Sequence, residues 1–239
     1  MRALEELGFD MQLSRLALWI VFASAWLPMS CQTSSSDSLR LAPEPQQVGD
    51  EIAVCGTFVH TGAPVVLWKS PPYYDAYRLV PDPKRQEGGS GPALVNAYQP
   101  GRVEKDAAGA AHVLVRPSAA EVEPLASVVD QLVLHFDVCG LSRTCFQTLR
   151  ERALSVHFLL DVDGTIYQTL DLREQAYHAT KANVRSIGIE IANLGAYPPK
   201  DHPVLDEWYR KDVGGPYMVI PERLGDGGLR IPGFVARPI

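Results

Sequence analysis

Three residues between positions 131 and 193 are of types that carry out hydrolysis, and their surroundings are those of a site. His135 lies near the end of Gln131-Leu132-Val133-Leu134-His135-Phe136, a nearly unbroken apolar run that reads as a buried strand. The carboxyl ends of strands are where α/β sheets place their sites. Taken singly, a strand-end histidine is more often a hydrogen-bonded core residue. Glu190 lies within Ile-Gly-Ile-Glu-Ile. On an alternating strand its side chain faces away from Ile189 and Ile191, and burial there would raise its pKa, which suits a general base. His178, in Ala-Tyr-His-Ala, sits in a polar loop, equally a substrate contact or a plain surface residue. Residue chemistry alone points to a metal-assisted hydrolase.

The elements that must position these side chains are readable. Ser142 is a candidate N-cap for a helix running to about Arg152. Ser155–Leu160 and Thr165–Leu170 read as strands joined by Asp161-Val162-Asp163-Gly164, a hairpin signal. Ser186–Ile191 is a further alternating strand. Upstream, Glu51–Val54, Pro64–Trp68, Tyr77–Val80 and Ala111–Arg116 are short β-type runs, with a polar loop from Lys84 to Gly91. These make residues 51–117 an N-terminal extension beside a main domain at 118–197. Residues 198–239 hold seven prolines and six glycines and read as a long irregular loop.

Composition narrows the class. Of 239 residues, 46% are hydrophobic and 21% charged, an ordinary globular balance. The formal net charge of −6 is a poor basis for nucleic-acid binding. The apolar run Leu16 to Met29 is too short for a bilayer span, which takes about 20 residues, and fits the core of a secretory signal occupying residues 1–30. Glu5, Glu6 and Asp10 are out of place in such a signal, so Met11 is the better start. Leu27-Pro28-Met29-Ser30-Cys31 is similar to a bacterial lipobox, which makes Cys31 a lipidation site and a membrane anchor. The polar residues that follow, within 31–50, form a tether. An exported chain of this kind is permitted disulfides.

The segments LVLHFD, LSVHFLLDVDGTIYQTLDLREQAYHAT and NVRSIGIEIANLG, in that order, resemble the N-acetylmuramoyl-L-alanine amidase type 2 family, relatives of the peptidoglycan recognition proteins. The similarity covers about residues 125–195. It implies an α/β fold with a central mixed sheet flanked by helices, and a Zn2+ hydrolase. The bond cut would be the amide between the lactyl group of N-acetylmuramic acid and L-alanine in peptidoglycan or muropeptides. His135 matches the family's first zinc ligand, Glu190 the residue that activates the zinc-bound water, and His178 a groove histidine that is not a ligand. His157 matches a structural position. Some relatives place a tyrosine before that histidine for the role of Glu190; here it is Val156. Cys139 and Cys145 have the spacing of a disulfide in the peptidoglycan recognition proteins, which implies a bridge here and leaves Cys55 without a partner.

The family's second and third zinc ligands come from a Gly-His…Lys-x-Asp-Pro-Gly segment that this sequence does not contain. Asp201-His202-Pro203 does not match it. The expectation is therefore an incomplete copy of a monomeric amidase with weak zinc binding, little activity and some exposed apolar surface. The alternative is a non-catalytic peptidoglycan-binding lipoprotein.

Overall fold

The computed structural model describes residues 49–86, 88–197, 203–225 and 235–236. The export signal, the lipobox with Cys31, most of the tether, and His202 lie outside these residues.

Six strands form the central sheet: β1 (Gly49–Val54), β2 (Thr57–Leu67), β3 (Gln131–Phe136), β4 (Phe158–Leu160), β5 (Ile166–Gln168) and β6 (Ser186–Ile191). Their spatial order is β1-β2-β5-β4-β6-β3. The sheet is mixed: β6 runs parallel to both β3 and β4, while β4 and β5 are an antiparallel hairpin. The hairpin turn works because Gly164 takes φ of 84° and Asp163 accepts a 2.9 Å bond from the Thr165 N–H. Two helices flank β3 in sequence, α1 (Glu123–Val128) and α2 (Ser142–Glu151).

Helix α2 buries Cys145, Phe146 and Leu149, spaced to share one helical face. They pack on Leu159 of β4 and Tyr167 of β5, with Val66, Tyr74 and Val156 in the same core. Ser142 does not cap this helix. Leu141 precedes it in extended conformation with no side-chain cap, while Ser142 is already helical with its hydroxyl buried. Leu141 is fully buried, so packing rather than a cap fixes the entry of the chain.

The stretch upstream of the domain is built into the sheet. β2 pairs parallel with β5, Val66 opposite Tyr167. The Gln168 side chain exchanges bonds of 2.7 and 2.8 Å with the backbone of Ala53. Asp171, 1% exposed, accepts the N–H groups of Cys55 and Gly56 at 2.8 and 2.7 Å.

Residues beyond 198 are not all irregular. Helix α3 (Pro203–Trp208) leads into a hairpin of Tyr209–Asp212 and Gly215–Val219. Trp208 and Met218 pack against Leu141 and Leu194. Two anchoring side chains give this Pro- and Gly-rich stretch a core that composition alone conceals. On the edge strand β3, Leu132, Leu134 and Phe136 are 62, 59 and 58% exposed. No described helix is long and apolar enough to cross a membrane.

Candidate functional site

In the parallel pairing of β3 with β6, His135 and Glu190 are register partners. Register partners on neighbouring strands project to the same face, with backbones about 4.8 Å apart. Alternation along β6 sends Ser186, Gly188 and Glu190 to that face, and Glu190 is also in register with the buried Leu159 of β4. Helix α2 covers the Leu159 side, so the imidazole and the carboxyl lie where the covered part of the sheet meets its edge.

His178 reaches the same place from a loop. Its own N–H and that of Ala179 donate to the Asn183 side chain at 3.1 and 2.6 Å. Its Nδ1 is 3.1 Å from His135 Nε2, and its Nε2 is 3.1 Å from the Ser186 hydroxyl. The His135 and His178 rings meet edge to face at 88°. A β-carbon at position 188 would lie 2.7 Å from three atoms of the His178 ring, so only glycine admits the ring there. A neutral imidazole has one donor and one acceptor. The Ser186–His178–His135 chain therefore carries its hydrogens all in one direction or all in the other.

His157 lies beneath this row and is fully buried. Its Nδ1 accepts the Gly188 N–H at 3.1 Å and its Nε2 donates to the Glu174 carbonyl at 3.0 Å, which fixes a neutral tautomer. Burial first, and then the charge of Arg102, pushes its pKa down to about 3. This is a structural histidine, and Val156 before it is a fully buried core residue.

The environment separates the titrating groups. Burial, reinforced by the charge of Asp137 and opposed by Arg152, pushes the Glu190 carboxyl up to about 7. Burial, then His135 and Arg102, pushes His178 down to about 4. Burial also lowers His135. Near neutral pH the imidazoles are uncharged, while Glu190 is divided between acid and carboxylate, the condition in which one group can both take and return a proton.

Cys139 and Cys145 are thiols in this structure, as is Cys55, so the bridge implied by the family is not formed. The hydrogen bond between the two thiols is the main cause that lowers Cys139 and raises Cys145, and Cys139 Sγ also lies 3.9 Å from the Thr148 hydroxyl. Cys55 is buried in a cluster with Val115 and Leu125.

A catalytic zinc ion takes three protein ligands and one water. Among the described residues no group of three or more His, Cys, Asp or Glu is placed to hold a metal. His135 Nε2 is engaged by His178, which leaves Nδ1 as the nitrogen this residue can offer a metal. The described residues do not make a zinc site by themselves.

A neutral imidazole beside a carboxyl of raised pKa, on neighbouring parallel strands of a mixed sheet, is an arrangement suited to acid–base hydrolysis. Residues 124–211 match the sequence profile of the family described as N-acetylmuramoyl-L-alanine amidase, and over this stretch the chain is similar to that family. No curated protein and no solved structure matches the chain. The matched stretch contains β3, α2, β4, β5 and β6, hence His135, His178 and Glu190. It excludes β1, β2 and Arg102. Sequence reasoning missed Ser186, Gly188, Asn183 and Arg102. The first two carried a signal, since they share the face of Glu190 by simple alternation.

Proposed function

We propose that this domain is a peptidoglycan amidase that hydrolyses the amide between the lactyl group of N-acetylmuramic acid and L-alanine. The observation that carries this reading is the register pairing of His135 with Glu190, whose carboxyl titrates at about 7. Ionised Glu190 takes a proton from the attacking water and returns it to the nitrogen of the leaving L-alanine. Neutral His178, tied to Ser186 and His135, holds the His135 ring toward the same space. Leu134, Phe136 and Ile191 alternate to the opposite face of the sheet, where with Ala196 they border a cavity of about 420 Å³.

Zinc belongs to this reading as a proposal. When bound it would lower the pKa of a water and polarise the scissile carbonyl. His135 is the residue that would hold it. The N-terminal signal would deliver the protein to the cell envelope as a monomer, with Cys31 as its lipid anchor.

The test is release of stem peptides from purified peptidoglycan with zinc supplied, by the native chain and by Glu190→Gln. Release by the first and none by the second is the expected result. Retention of muropeptides without release by the native chain would favour the non-catalytic binding reading.

A further inference from the structure

The guanidinium of Arg102 is fully buried although its residue lies outside the family match. It sits on a short strand, Arg102–Lys105, paired with Ala111–Val115. Nη1 donates to the carbonyls of Asn183, Val184 and Ser186 at 3.0, 3.3 and 2.8 Å. Nη2 donates to the Leu172 carbonyl at 2.6 Å and lies 3.1 Å from His157 Nε2. A buried arginine forgoes strong hydration, so a site that keeps one must use its fork.

What the fork holds is the turn Thr180–Arg185 and the first residue of β6. That turn fixes His178 at both ends. Asn183 accepts from the His178 backbone, and Ser186 bonds the His178 ring. An unclamped turn would release both contacts together, and with them the 3.1 Å contact of His178 with His135.

We infer that Arg102 is a positioning residue of the site: it acts through the 180–186 turn to hold His178 against His135. Its link to catalysis rests on the amidase reading, but the geometry it sets does not. The upstream stretch is then a working part of the active domain and not an appendage.

The experiment compares the full native chain with Arg102→Lys, which keeps a charge but loses the fork. Nitrogen-15 NMR of the imidazoles reports the tautomers of His135 and His178 and the proton they share. In the native chain a protected shared proton is expected, and in a folded Arg102→Lys its loss. On a soluble muropeptide, kcat is expected to fall about 10- to 100-fold with KM within about twofold, the scale of a misplaced catalytic group. A folded Arg102→Lys that keeps the shared proton overturns the proposal. If Arg102→Lys does not fold, Asn183→Ala replaces it: loss of the same proton supports the relay through the turn, and its survival overturns it. If the native chain cleaves no muropeptide, the amidase reading fails separately and the imidazole signal still decides the role of Arg102.

Discussion

His135 and Glu190 occupy the same register on two parallel strands, and everything chemical in this fold follows from that adjacency. The neighbouring strand and helix α2 partly shield Glu190 from water, which raises its carboxyl to about 7, while His178 engages the imidazole from the loop side. One backbone pairing thus sets both the geometry and the proton affinity of the site.

The first consequence is a pH profile. Glu190 acts as a base only when ionised, so kcat/KM should fall about tenfold per pH unit below a limb near 7. His178, lowered to about 4, adds no limb near 7. A pH–rate series on a soluble muropeptide checks this; a limb near 4.5, the ordinary glutamate value, would contradict it.

Stability should respond with the opposite preference. A carboxyl whose folded pKa is raised above its unfolded value of 4.5 favours the folded state when protonated. Its contribution is present below 4.5 and lost as pH rises through about 7. Glu190→Gln is therefore expected to stabilise the protein by about 1 kcal/mol at pH 8, the shift being discounted because water still screens this part-exposed carboxyl, and to be near neutral at pH 4. Urea unfolding at the two pH values measures the difference, and equal effects at both would count against a desolvated Glu190.

Gly188→Ala probes the seat of His178. The added methyl collides with the ring, and overpacking of this kind costs about 1–3 kcal/mol. Combining it with His178→Ala removes the collision, so the pair should be more stable than the sum of the single effects. Additive effects in thermal unfolding would mean that the ring does not lie over the glycine.

Metal dependence offers a further check. With one imidazole in place and no three-ligand group among the described residues, zinc should be held weakly, and cleavage should need added zinc and stop with a chelator. His135→Ala should lower zinc uptake by calorimetry. Uptake unchanged in His135→Ala would exclude this histidine as a donor.

The sequence was most legible where periodicity is local. The runs at Gln131–Phe136 and Ser186–Ile191 are strands over those same residues, but the first is an exposed edge strand and not the buried one its apolar run predicts, because no further strand or helix covers Leu132, Leu134 and Phe136 among the described residues. The helix after Leu141 was legible but its start was not, since a buried leucine anchors it in place of a serine cap. The joining of β1 and β2 to the sheet was hidden, because Gln168 meets Ala53 across 115 positions and neither residue signals the other. Arg102 was hidden for the same reason: an arginine in a short strand reads as surface until its fork is seen among the carbonyls at 172 and 183–186. Glu190 could be singled out because a carboxylate between isoleucines is costly to bury without a purpose.

The most direct test of the account is mass spectrometry of what the protein makes from defined muropeptides with zinc present. The account expects two products, an N-acetylmuramic acid with a free lactyl carboxyl and a stem peptide with a free L-alanine amine, both absent with Glu190→Gln. Intact muropeptides, or cuts in the glycan or between stem residues, would contradict it.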